Sequence, residues 1–364
     1  MTAMRFATVA VFAGVLLLAG CDNFFTKESS SGGGGSTGSH TLFAASSPQN
    51  ANGVVSGFTI GSGGTLSSLN VNTTVSISPR AIAITPNNQF LYVANLNGGI
   101  VNAFSIGSGG SLTAVPNQPF APGTNPYALA INPAGTLLFV LNLSSDIIST
   151  FRIQSDGELQ VAQGQALPLG ANPFGLALTP SGNFLYVAAG NVTDIFALGT
   201  DSAGNNTFSQ VACTQACTIA SQAVAIHPNG TFLFVADGTS QLASYTLASN
   251  GVPTQVGSTT TGLSKPVALA LDSTGSFLLV VTSGDNALTS YAILQNGSLS
   301  KVMSISVGNS PVQLAVDPNT NTAFVANSGG SPDISGVGVS SGGQLSIVST
   351  GSVGGNAFPV AVTH

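Results

Sequence analysis

Charge is what this sequence has least of. Only 5% of its 364 residues are Asp, Glu, Lys or Arg, where soluble proteins commonly carry about 25%. Three lysines and three arginines cannot form a basic stripe along a phosphate backbone, which excludes nucleic acid as a partner class. The acidic side chains are equally sparse and scattered, so no strong field steers a cation. Helical periodicity is missing as well. After residue 40 no ten-residue stretch has a capped 3.6-residue apolar period, which excludes leucine-rich horseshoes and α-solenoids. Cofactor motifs are absent in any usable form. Formal matches to G-x-S-x-G (Gly34 to Gly38) and G-x-G-x-x-G (Gly33 to Gly38) fall in a Gly/Ser run with no strand before it and no helix after it. No cofactor is expected.

What the chain does have is a repeat. The stretch Pro79 to Ile106 returns with starts at Pro126, Pro173, Ser221, Pro266 and Pro311, and in part at Ala357, at spacings of 45 to 48 residues. Periods of this size belong to propellers, solenoids and arrays. Each copy opens on an alternating run such as Ala81-Ile82-Ala83-Ile84. A turn of the type Pro133-Ala134-Gly135-Thr136 follows, in which proline presets φ and glycine accepts positive φ. The second run is more apolar (Phe90-Leu91-Tyr92-Val93-Ala94), the third carries an aromatic residue, and a fourth is weaker. Four strands per copy is the content of a propeller blade. A β-sandwich would need about twice this period per domain.

Counting copies gives six full blades and two fragments. Ala357 to His364 matches only a first strand, whereas Thr41-Leu42-Phe43-Ala44-Ala45 matches a second, followed by Val54 to Ile60 and Leu66 to Val71. The two ends together complete a seventh blade and close the ring without a long exposed edge. The sequence therefore predicts an all-β, seven-bladed β-propeller over residues 41–364, closed by pairing of N- and C-terminal strands, as one domain and a monomer.

Residues 1–20 read as an export signal. An early positive charge (Arg5) precedes an apolar run from about Ala7 to Leu18, short for the roughly 20 residues that span a bilayer. The run ends in Leu18-Ala19-Gly20-Cys21, which resembles the bacterial lipobox and implies cleavage before Cys21 and lipidation of its thiol. Residues 21–40 then form a Gly/Ser tether reaching on the order of 25 Å. The expected location is extracytoplasmic, on a bacterial membrane, in the periplasm or at the cell surface. In that compartment Cys213 and Cys217 are expected to form a disulfide.

The Pro…Pro-Asn-Gly…Phe/Leu-Tyr-Val-Ala-Asn pattern, recurring from copy to copy, resembles the YVTN-type repeat and the seven-bladed lactonase-like propellers, which include bacterial 6-phosphogluconolactonase. The resemblance covers residues 41–364. It implies a ligand site at the central channel, with a Pro-Arg-His start to an inner strand and a Glu shortly after a Val-x-Asn. Here Pro79-Arg80 is followed by Ala81, and Val93-Ala94-Asn95 by Leu96, so of these groups only the arginine is present. Lactone hydrolysis needs a group to activate water and donors for the developing oxyanion. An arginine supplies charge but no base.

The candidate ligand-binding residues are Arg80, Lys265, Asn95 and Asp237, all on the face that holds the second-to-third turns. Arg80 and Lys265 suggest an anion clamp; the alternative is surface charge beside turns. Asp146, Asp194, Asp237, Asp285 and Asp333 recur on that face as turn residues or as a cation ring. Asp317-Pro318-Asn319-Thr320-Asn321 imitates a calcium loop but has Thr322 and Ser328 where the loop needs Gly and Glu. His227 has no partner in sequence, and His40 and His364 are expected to meet at the closure. No metal site is expected. The functional expectation is a membrane-tethered binding or scaffold module. Its partner would be a protein, a peptide or a small anion at the channel mouth. The alternatives are a lactone hydrolase using that mouth and a surface-layer or adhesion component.

Overall fold

The first copy forms four strands, Pro79–Ile84, Phe90–Asn95, Ile100–Ile106 and Leu112–Ala114. A computed structural model describes residues 40–47, 51–169, 172–190, 192–202, 206–212 and 221–364. Six blades lie in sequence order, spanning 79–114, 126–168, 173–210, 223–260, 266–306 and 311–351 (blades 1 to 6), each with its four antiparallel strands in chain order. Their first strands stand side by side around a central channel. Among the described residues there is no α-helix, only the short 3-10 turns Ser62–Gly64 and Ser108–Gly110. The export segment with Cys21, nearly all of the tether, and the Cys213 and Cys217 pair lie outside the described residues.

Blade 7 is assembled from both ends. Ala357–Val362 is its innermost strand, followed outward by Thr41–Ser46, Asn52–Ile60 and Leu66–Ile77. The closing pair aligns Leu42 with Val362, Phe43 with Ala361 and Ala44 with Val360. The expected fold, including the shared blade, is the one observed.

There is no single core. Seven apolar clusters occupy the seven seams between neighbouring blades. A second strand is covered by a neighbouring blade on each face, so Phe90–Asn95, Leu137–Asn142 and Phe277–Thr282 are buried along their whole length. This is why the second run of each repeat is continuously apolar. Outer strands such as Leu66–Ile77 have one face open to solvent and carry Ser, Thr and Asn there.

The repeat's Phe also fixes a glycine in the next blade. A Cβ on Gly157 would stand 2.3 Å from the ring of Phe90, and its backbone is left-handed (φ +85°). Gly251 over Phe184, Gly297 over Phe232 and Gly343 over Phe277 repeat the contact. Tyr92 donates its hydroxyl to the Gly157 carbonyl at 2.9 Å, and Tyr186 donates to that of Gly251 at 2.5 Å. Burial raises both phenols above the usual range, with Asp156 adding to the effect at Tyr92. At these two seams Tyr92 and Tyr186 combine a buried ring, worth about 1.5–3 kcal/mol, with a satisfied polar tip.

Candidate ligand site at the channel mouth

The inner strands of blades 1, 2, 3, 5 and 6 share a bulge at their first residues. Register slips between Pro79 and Ala81, Pro126 and Ala128, Pro173 and Gly175, Pro266 and Ala268, and Pro311 and Gln313. The residue after the proline has no cross-strand partner, and a bulge of this kind re-aims its side chain. Here it is aimed into the channel mouth. Arg80, Tyr127, Phe174, Gln222, Val267 and Val312 occupy that place in blades 1 to 6 and line one cavity of about 200 Å³.

Arg80 is half-buried and held by aromatic neighbours. Its guanidinium lies 4.3 Å from the centre of the Tyr127 ring and 5.7 Å from that of Phe358, the blade 7 counterpart. It also donates to the Tyr127 hydroxyl oxygen at 2.5 Å. Tyr127 in turn meets Phe174 edge-on, with centroids 5.8 Å apart. The ring contacts hold the cation in place, each worth about 0.5–2 kcal/mol. No carboxylate pairs with Arg80 among the described residues; the ion pair found there joins His40 to Asp317. Among the described residues the cavity lining contains no Asp, Glu, His, Cys or Lys. These residues therefore present one pre-positioned cation with no base beside it.

The other sequence candidates lie apart from this cavity. Lys265 is exposed and occupies the residue before the proline, with φ +53°, a slot filled by Ser78, Asn125, Asn172 and Ser310 in other blades. Its backbone is tied to Thr239 and Ser283, and the structure does not bring it to the cavity lining. Asn95 is fully buried at the end of its strand, where its amide donates to Val93 O, Ile100 O and Asn102 Oδ1. Asn142 and Asn327 make the same kind of clasp in blades 2 and 6. Asp237 accepts from the backbone N–H groups of Thr239, Ser240 and Gln241 and from the Thr239 hydroxyl. Burial opposes its charge, but these donors hold the carboxyl below the usual range. It shapes its own turn. Asp333 likewise accepts from Ser352 and Val353.

On the opposite face, His40 and His364 stand where the chain ends replace the first turn of blade 7. His40 Nδ1 contacts Asp317 Oδ1 at 2.6 Å, and its Nε2 lies 2.8 Å from the Asn319 amide. Asp317 also accepts from the Thr320 backbone N–H, so the loop that imitates a calcium site instead pins the closure. His364 is partly buried; desolvation, then the proximity of His40, lowers its pKa to about 4. His227 accepts from Asn229 N–H on Nδ1, which puts its proton on Nε2 against Gly275 O at 2.8 Å.

Tyr127, Phe174 and Phe358 were not singled out from the sequence. The signal was present, because the residue after the blade start is the one that changes from copy to copy, from Arg to Tyr, Phe, Gln, Val, Val and Phe.

Fold and site together define a seven-bladed propeller with a small cavity at the mouth of its channel. The chain belongs to the lactonase, 7-bladed beta-propeller family, whose profile matches residues 36–316. Three solved structures share the fold at low identity. A putative 6-phosphogluconolactonase from Bacteroides fragilis aligns with TM-score 0.76 and 16% identity over 90% of this chain and 99% of that one. A Lactobacillus plantarum protein gives 0.74 and 20% over 90% and 99%. The periplasmic gluconolactonase of Pseudomonas aeruginosa gives 0.72 and 19% over 89% and 99%. No curated protein matches the chain.

Proposed function

We propose that this propeller is a binding module that takes a small anion on Arg80 at the channel mouth, held outside the cytoplasm by a lipid on Cys21. The observation that carries the reading is the half-buried guanidinium, stacked on Tyr127, with no carboxylate, acid or base in the cavity lining among the described residues. A guanidinium is a strong, geometrically specific partner for a carboxylate or phosphate. Activation of water requires a base within hydrogen-bond reach, and the described lining residues offer none. The test is a calorimetric titration of the full chain with gluconate, paired with hydrolysis of gluconolactone followed by proton release. Binding that is lost in Arg80→Met, with no enzymatic turnover, supports the module. Detergent-phase partitioning of the chain, lost in Cys21→Ser, checks the anchor.

Lactone hydrolysis is the second reading, favoured by the family and by the Tyr127 hydroxyl held 2.5 Å from the guanidinium. Arg80 and Tyr127 would polarise the lactone carbonyl for attack by solvent water. Turnover that falls in both Arg80→Met and Tyr127→Phe would replace the binding reading with this one.

A further inference from the structure

The side chains of the mouth differ in what they offer a ligand, and their order around the ring sorts them. First strands touch their neighbours in blade order, so blades 4 and 5 are the two farthest from blade 1. Arg80 of blade 1 and Tyr127 of blade 2 form one polar pole. The Tyr127 hydroxyl accepts from Arg80 and keeps its own proton to donate. Across the mouth stand Gln222 of blade 4 and Ser283 of blade 5, with Val267 beside them. Phe174 of blade 3 and Val312 of blade 6 lie between the poles on the two sides.

Gln222 is set differently from the bulged residues. Blade 4 opens on Ser221 in place of proline, and its inner strand pairs Ala223 with Ala236 without a register slip. The Gln222 N–H donates to Ala236 O at 2.7 Å, so the ladder itself fixes the stem of the side chain. The amide fits against the left-handed Gly238 (φ +74°), where a Cβ would stand 3.0 Å from Oε1. Among the described residues no protein group engages that amide by a hydrogen bond. The Ser283 hydroxyl reaches only the Lys265 carbonyl, at a long 3.4 Å. Both far groups are neutral, and each can donate as well as accept. No second charged side chain lies in the lining among the described residues, and Lys265 is outside it. Between the poles the inner strands are sheet edges, whose backbone N–H and C=O groups can serve the middle of a ligand.

We infer that the mouth takes a monoanion with a neutral hydrogen-bonding group, a hydroxyl or carboxamide, at the end away from its charge, and that Gln222 reads this group. This rests on the reading that Arg80 binds the anionic end. The experiment is a calorimetric titration of the full chain with glutaramate, glutarate and pentanoate. These acids have one chain length and end in a carboxamide, a second carboxylate and a methyl group. Glutaramate is expected to bind about fivefold more tightly than pentanoate, the worth of one good hydrogen bond, and more tightly than glutarate. Gln222→Leu is expected to bring glutaramate to the level of pentanoate and to leave Arg80-dependent pentanoate binding in place. Pentanoate equal to or tighter than glutaramate, still lost in Arg80→Met, would overturn the inference and leave the anion reading standing. So would glutarate tighter than glutaramate, or a preference for glutaramate that survives in Gln222→Leu. Absence of Arg80-dependent binding by all three would overturn both. The ranking is measured in the unaltered chain, so it decides the ligand class even where a variant folds poorly.

Discussion

The seams between blades and the mouth of the channel are built from the same repeat, yet they treat it in opposite ways. At the seams the repeat reuses its residues: a Phe opens the second strand in four copies, and on each of these lies a left-handed Gly of the next blade. At the mouth, one residue after each blade start, the side chain is different in almost every copy. Positions that must match a neighbour are locked by packing density, where a single added carbon atom is felt. Positions that face the channel are released from that constraint and become the place where a ligand site can be grafted. Stability and recognition are therefore separated on the page of the sequence, sometimes by only a few residues.

The separation can be broken most severely at a seam. Gly157→Val adds a side chain 2.3 Å from the Phe90 ring at a left-handed backbone position. It is expected to cost about 3 kcal/mol or more, read as a lower thermal midpoint. Ligand affinity of the molecules that remain folded should be unchanged.

The closing seam provides the second test, through pH. The folded pKa of His364 is about 4, below its usual 6.5. Between these values the unfolded chain binds more protons than the folded one, so stability rises with pH. It is full above about pH 6.5 and falls as pH drops toward 4, by on the order of 3 kcal/mol. The Asp317 carboxyl is also held low; burial opposes this, and the His40 and Thr320 contacts outweigh it, so it acts in the same direction in still more acid solution. Thermal midpoints measured from pH 7 to 4.5 should decline in the native chain and decline less in His364→Asn. A flat profile in the native chain would remove the titrating seam.

Changes at the mouth should reverse the pattern. Arg80→Met is expected to reduce anion affinity at least tenfold while moving the thermal midpoint by no more than a few degrees, because the cation has no carboxylate partner to lose. Smallest of all, Val267→Thr should alter stability by about 0.5 kcal/mol or less and change anion affinity far less than Arg80→Met does. Titration and melting of the same preparations check both.

The fold was legible because propeller constraints are periodic. The spacing of blade starts, the continuous second strands and the complementary terminal fragments each recur or interlock, and the shared seventh blade follows from them. The site was legible only in part. Arg80 and Lys265 look alike in sequence, since each flanks a blade-opening proline. The residue after the proline is a bulge that points into the channel, whereas the residue before it is a left-handed turn on the rim. Asn95 and Asp237 read as exposed polar candidates, but the Asn95 amide N–H groups go to Val93 O, Ile100 O and Asn102 Oδ1, and the Asp237 carboxylate is taken up by its own turn. The aromatic partners of Arg80 come from blades 2 and 7, 47 residues ahead in sequence and near the far end of the chain, and only ring closure brings them together.

The most direct measurement is a crystal structure of the full chain grown with gluconate. The expected result is the carboxylate on the Arg80 guanidinium, with the body of the ligand inside the ring formed by Tyr127, Phe174, Gln222, Val267 and Val312. A ligand seated in a groove between blades, or at the mouth but turned away from Arg80, would contradict the assignment of recognition to the variable position of the repeat.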